Sequence, residues 1–217
     1  MNAREEVLAR IAAAHRAAPP ANLSYEDISR DYQTTSDSET GELTELLIDR
    51  LVDYRALVRQ CSVDDLGATI AAALAERGAR TVVVPAGMGS SWIADLSAKV
   101  LTDGPSTDDQ LSVAELDGVD GVITGCTVAI AQTGTLILDG SSGQGRRVIT
   151  LIPDYHLCVV FADQIVADVP DALARLEATR PLTMISGPSA TSDIELNRVE
   201  GVHGPRTLEV IIVNRSE

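Results

Sequence analysis

Two threonine–glycine bends hold the densest set of groups able to hydrogen-bond a small polar ligand. They are Thr124-Gly125-Cys126-Thr127 and Gln132-Thr133-Gly134-Thr135, separated by the apolar segment 128–131. Hydroxyls and bare glycine backbone at a strand end suit such a ligand. A second cluster runs Gly187-Pro188-Ser189-Ala190-Thr191-Ser192-Asp193-Ile194-Glu195, where Ser189 or Thr191 is placed to cap a helix carrying Asp193 and Glu195. A third is Gly201-Val202-His203-Gly204-Pro205-Arg206, a tight loop in which a histidine between glycines is expected to meet solvent and titrate. Arg146 and Arg147 stand side by side in an acidic chain, and a guanidinium grips a carboxylate or phosphate bidentately where geometry allows.

Other motifs are weaker. The loop Pro85-Ala86-Gly87-Met88-Gly89-Ser90-Ser91 joins a strand to a helix, as phosphate-binding loops do, but Trp92 stands where the dinucleotide fingerprint needs its third glycine. The loop is therefore read as a structural turn. Gly140 to Gly145 has Walker-type glycine spacing, yet Arg146-Arg147 and a β-branched run follow it, so a P-loop is rejected. That segment reads as a hairpin tip followed by a strand at 148–151. His156-x-Cys158 on a strand would face one side. With Cys126 or His203 it could form a zinc site, but the spacing is not diagnostic, so a core histidine, an inert thiol and no metal are expected.

The elements that must position these groups alternate between strand and helix. Residues 2–18 read as a short amphipathic helix with Val7, Leu8 and Ile11 on one face, stopped by Pro19-Pro20 and followed by a polar linker to residue 40. Leu43, Leu46, Leu47 and Leu51 form the stripe of a helix over 41–53. A strand is expected near 56–59, then a helix over 63–77 capped by Ser62 and stopped by Gly78. Thr81-Val82-Val83-Val84 reads as a strand covered on both faces. Further strands are expected at 121–124, 135–138, 157–160, 182–185 and 208–213, and helices near 90–100, 170–178 and 189–196. An antiparallel ribbon is expected within 129–160. The alternation predicts an α/β domain over 41–217, a mostly parallel sheet with helices on both faces, preceded by a helical extension over 1–40.

Composition bounds the function. The chain has 217 residues and a net charge of −15, with one lysine, Lys99, and 3% aromatics. No basic footprint for nucleic acid or anionic lipid exists, and base-stacking platforms are scarce. Cys61, Cys126 and Cys158 are too few to hold a four-thiolate iron–sulfur cluster. No leader-type apolar run and no stretch long enough to span a membrane is present, so a reducing cytoplasm is expected.

Taken in order, the 124–135, 187–195 and 201–206 segments resemble the lactate utilization protein C (LutC/YkgG) family, built on the LUD domain. The resemblance implies a NagB/RpiA/CoA-transferase-like α/β fold. It implies a subunit of a cytoplasmic system oxidising L-lactate to pyruvate, an oxidoreductase complex whose iron–sulfur clusters sit on partner proteins and not on this chain. Whether this subunit is itself catalytic stays open. A free-standing small-molecule enzyme of the 5-formyltetrahydrofolate cyclo-ligase, isomerase or CoA-transferase-like group is the alternative. The family motif has Glu before Thr-Gly-Thr; here the position is Gln132, and an amide is neither an acyl-anhydride nucleophile nor a base. A binding site is therefore expected, with Thr124, Gly125, Thr127, Gln132, Thr133, Gly134, Thr135, Arg146, Gly187, Ser189, Thr191, Asp193, Glu195 and Arg206 around a small hydroxy or keto acid. His203 would accept the hydroxyl proton.

Overall fold

A computed structural model of the chain describes residues 2–17, 24–29, 31, 39–188 and 204–214. Two compact units divide it, Met1–Gln33 and Thr34–Glu217. The first unit holds helix α1 (Ala3–Ala17), whose residues are all exposed, and a 3-10 turn at Tyr25–Asp27 capped by Ser24.

The second unit is built on a six-stranded, wholly parallel sheet. Its strands are β1 (Leu57–Ser62), β2 (Thr81–Pro85), β3 (Lys99–Asp103), β4 (Gly121–Gly125), β7 (Tyr155–Phe161) and β10 (Thr207–Asn214), in the order β1-β10-β7-β4-β2-β3. A smaller mixed sheet contains β5 (Val128–Ile130), β6 (Thr135–Leu138), β8 (Ile165–Val166) and β9 (Thr183–Ile185), ordered β8-β5-β6-β9. Within it, β5 and β6 form the expected antiparallel ribbon.

Successive strand side chains point to opposite faces, so each core strand feeds two clusters. Val82, Val84, Ile123, Leu157, Val159, Ile211 and Val213 meet Leu66, Ile70 and Leu74 of α3 (Leu66–Arg77), with Trp92 of the single-turn α4 (Ser90–Ile93). On the other face, Cys158, Val160, Val210 and Ile212 meet Leu47 and Leu51 of α2 (Thr40–Asp53) together with Leu136 and Leu138 of the small sheet. Val83 and Val122 on that same face meet Leu116 of α5 (Val113–Asp117) and Ile149. The remaining helix, α6 (Val169–Ala174), buries Ala172 against β5 and β6. The fold is thus the α/β arrangement expected, with helices on both faces. Among the described residues no helix is long and apolar enough to cross a membrane.

Three local readings differ from the expectation. Residues 148–151 are not a strand: Arg147–Thr150 is a 3-10 helix, burying Ile149 and Thr150. A four-residue apolar run carries no period that separates strand from helix. The helix expected over 90–100 ends at Ile93, and its last two residues, Lys99 and Val100, open β3, paired to β2 in parallel. The helix expected from 63 begins at Leu66, leaving Val63 exposed, with Asp65 as its N-cap and Ser62 bonded to the Asp65 carboxylate. The helix expected at 189–196 lies outside the described residues.

Candidate functional site

Strand order locates the crevice. The chain runs from β2 to its neighbour β3, then passes back across β2 to β4 on the other side. At such a reversal the loops leaving the carboxyl ends of adjacent strands diverge, and ligands of open α/β sheets bind in the gap. Here the gap lies beyond the ends of β2 and β4.

A strap formed by residues 139–145 closes over it. The Gly125 N–H donates to the Gly143 carbonyl (2.9 Å), and the Gly143 N–H donates to the Ala86 carbonyl (3.4 Å). The Ser142 hydroxyl donates to the Gly87 carbonyl (3.3 Å). Buried Gln144 ties the strap from inside: its Nε2 donates to Thr127 Oγ1 (2.7 Å), and its Oε1 accepts from the Asp139 N–H (2.7 Å). Gly140, Gly143 and Gly145 all have positive φ, so the glycine spacing seen in the sequence serves a backbone path closed to most side chains. The segment is a pinned strap and not a free hairpin tip.

Two clefts flank the strap. The inner one, about 200 Å³, lies between Gly87 to Gly89 and Trp92 after β2, Gly125 and Cys126 at the end of β4, and Phe161 and Gln164 at the end of β7. The Trp92 and Phe161 rings lie 5.9 Å apart, tilted by 43°. The Cys126 thiol is pushed well above its ordinary pKa by its hydrogen bond with Cys158 and by burial, so it is a protonated wall and not a thiolate nucleophile. The outer cleft, about 770 Å³, is lined by three guanidiniums (Arg146, Arg147, Arg180) and two carboxylates (Asp103, Asp139), with Gly87, Gly104 and Gly140 on its walls. Arg146 is held bidentately by the buried Asp103 (2.8 and 2.7 Å) and also donates to the Leu111 carbonyl; its bond to Asp103 raises its pKa. Arg147 donates to Thr150 Oγ1 (3.0 Å), and burial of its guanidinium lowers its pKa. Arg180 bonds Glu177 (2.8 Å) and lies 3.8 Å from Asp139. Burial works to raise the Asp139 pKa, but bonds from Ser141 and Thr127 and the charge of Arg180 take it below the ordinary value.

The residues singled out from the sequence fall in separate places. Gly125 and Arg146 line the clefts, and Thr127 braces the strap. Thr124 points into the core, where its fully buried Oγ1 shares a 2.8 Å hydrogen bond with His156 Nε2. Thr133, Gly134, Thr135 and Gly187 meet beside the C-terminal turn of α2. Thr135 Oγ1 bonds Thr133 Oγ1 (2.7 Å) and Ser186 Oγ (2.8 Å), Gly134 packs on Arg50, and Gly187 packs on Tyr54. Arg50 Nε donates to the Gln132 carbonyl (3.3 Å), while the Gln132 side chain is exposed. Arg206 pairs with Asp154 (2.6 Å) where β7 and β10 begin, at the opposite end of the strands. Ser189, Thr191, Asp193, Glu195 and His203 lie outside the described residues. Sequence reasoning passed over Trp92, Phe161, Gln144 and Arg180. The usable signal was scarcity: the only Trp of the chain follows β2 and the only Phe ends β7.

A mostly parallel α/β sheet with a ligand crevice at a topological switch point is the class that fold and site define. The LUD domain family model matches residues 64–213, and the chain belongs to that family. Lactate utilization protein C of Deinococcus radiodurans is 48% identical over 186 residues, covering 84% of each chain. Lactate utilization protein C of Shouchella clausii is 26% identical over 201 residues, covering 86% of each. The crystal structure of a DUF162 family protein from Deinococcus radiodurans matches with a TM-score of 0.68 at 42% identity, covering 81% of this chain and 99% of that one.

Proposed function

We propose that this chain serves lactate utilization as a subunit that works with iron–sulfur partner proteins and holds a small hydroxy or keto acid in the outer cleft. The observation carrying this reading is the cleft's lining, three guanidiniums against two carboxylates in a chain of net charge −15. A monocarboxylate entering there meets Arg147 and Arg180 beside the Asp103–Arg146 pair, and charge-assisted bonds to guanidinium are the strong ones. The names of the relatives support the pathway. In this reading His203 would accept the hydroxyl proton, the α-hydrogen would leave as a second proton, and the two electrons would pass singly to the iron–sulfur clusters of the partners.

The test combines binding and genetics. L-lactate and pyruvate titrated into the protein are expected to bind, with affinity falling about tenfold or more in Arg147→Ala. A strain lacking the gene is expected to lose growth on lactate, to regain it with the wild-type chain, and to regain it poorly with His203→Gln. Normal growth on lactate without the gene would refute the pathway; binding of neither acid would refute the site.

A further inference from the structure

The strap shuts the inner cleft off from the guanidiniums of the outer one. Gly143 is tied to Gly125 on one side and to Ala86 on the other, and the Ser142 hydroxyl stands where a Cβ on Gly87 would be. Among the described residues no charged side chain lines the inner cleft. An ionised ligand would lose its hydration there and meet no counter-charge, so the cleft selects a neutral one.

Its walls favour a flat ring. Aromatics make up 3% of the chain, yet the single Trp and single Phe both line this one volume, each ring bracing the other. The indole reaches across the gap: its pyrrole edge lies 3.3 Å from where a Cβ on Gly89 would stand, and its far edge 3.9 Å from one on Gly125. Met88 and Cys126 add sulfur, which also packs well on aromatic rings. The volume sets the size. An apolar cavity of about 150 Å³ takes a benzene ring. The inner cleft, at about 200 Å³, takes such a ring with one small substituent and has no room for a sugar beside it. The polar groups set the ring's edge. The carbonyls of Gly87, Gly89 and Gly143 already accept from Ser142 Oγ, the Trp92 N–H and the Gly125 N–H. Gln164 Oε1 accepts from the Phe161 N–H (2.8 Å), and one N–H of its Nε2 donates to the Cys126 carbonyl (2.8 Å). A second N–H of that amide is unspent. The indole Nε1–H of half-buried Trp92 has no hydrogen-bond partner among the described residues. Acceptors are taken and donors are left, so the complementary ligand carries an acceptor oxygen.

We propose that the inner cleft binds an uncharged, single-ring aromatic compound bearing a carbonyl, with its ring stacked on Trp92. The ligand stays wholly on the inner side of the strap. The proposal is independent of the acid-binding reading, which concerns the outer cleft, and each is tested by its own ligands and its own variant.

Because Trp92 is the only tryptophan, intrinsic fluorescence reports on the inner cleft. Benzamide, nicotinamide and uracil are titrated by fluorescence and by calorimetry. Cyclohexanecarboxamide keeps the carbonyl without the flat ring, and benzoate keeps the ring but adds a charge. At least one of the three neutral rings is expected to saturate the Trp92 signal with a Kd of about 1 mM or tighter. Cyclohexanecarboxamide should bind about threefold or more weakly than benzamide, for want of ring stacking. Benzoate should move the Trp92 signal about tenfold or more weakly. Trp92→Phe keeps a ring and retains calorimetric binding of the neutral ring; Trp92→Leu loses it, with the thermal melt confirming folding. Gly125→Ala is the second variant: its Cβ makes ordinary 3.9 Å contacts with Trp92 and the Gly143 carbonyl, so the fold tolerates it while the cleft narrows. It should weaken the ring about fivefold or more. Arg147→Ala, across the strap, should leave ring binding unchanged. Saturation by none of the three rings overturns the proposal. So does benzoate or cyclohexanecarboxamide matching benzamide. Loss of ring binding in Arg147→Ala with retention in Gly125→Ala overturns it too, because that result puts the ring in the outer cleft.

Discussion

Replacing His156 with Gln should flatten the acid side of the stability profile. His156 is 1% exposed, and its Nε2 lies 2.8 Å from Thr124 Oγ1 inside the sheet core. Burial, aided by the charge of Arg147, lowers its pKa from 6.5 to about 3. The unfolded chain takes up this proton below about pH 6.5, whereas the folded chain refuses it until about pH 3. The stability present above pH 6.5 is therefore lost as pH falls through that window, by up to about 1.4 kcal/mol per pH unit. The whole gap corresponds to about 5 kcal/mol, and to about 3 kcal/mol by pH 4.5. Gln keeps a polar partner for Thr124 without the titration, at about 1–3 kcal/mol of packing cost at pH 7. Urea unfolding of both proteins at pH 7 and pH 4.5 reads the difference. Carboxylate titrations common to both cancel in the comparison. The variant is expected to lose about 3 kcal/mol less than wild type between the two pH values. With only three histidines in the chain, the ring proton resonances give a second reading. Equal pH slopes, or a His156 resonance titrating near 6.5, would refute the reasoning.

Two further substitutions test the frame around the crevice. Arg146→Lys loses the forked geometry on the buried Asp103 and the bond to the Leu111 carbonyl. It should cost about 2 kcal/mol and lower Tm by about 4–8 °C; an unchanged melt would show that this pair does not hold the outer wall. Gly134→Ala meets both a positive φ (59°) and the Arg50 Cβ at 2.8 Å, whereas Gly78→Ala meets only a positive φ (70°) with open space beyond. Denaturant unfolding should show about 1 kcal/mol lost at Gly78 and about 2–4 kcal/mol at Gly134, and equal losses would remove the steric contribution.

Much of the frame was legible locally. The β-branched run at 81–84, the leucine stripe at 43–51 and Gly78 after a helical period each specify an element through nearest neighbours. The observed β2, α2 and α3 follow them closely. The misread segments lack such a period. Residues 148–151 are too short to show one, and Lys99–Asp103 becomes a strand by pairing with β2. The threonine–glycine bends were found as turns, but their partners were not. Thr124 bonds a histidine 32 residues away and Thr135 a serine 51 away.

By itself, the sequence determined the layered α/β class, the glycine positions that demand positive φ, and an acid balance that leaves arginines conspicuous. Only the tertiary structure decided which loops meet at the carboxyl end of the sheet. Strand order is set by contacts between segments far apart in the chain, and periodicity carries no record of it. That is why Trp92, a flaw when read as a motif residue, becomes the wall of a cleft once β2 and β4 lie side by side.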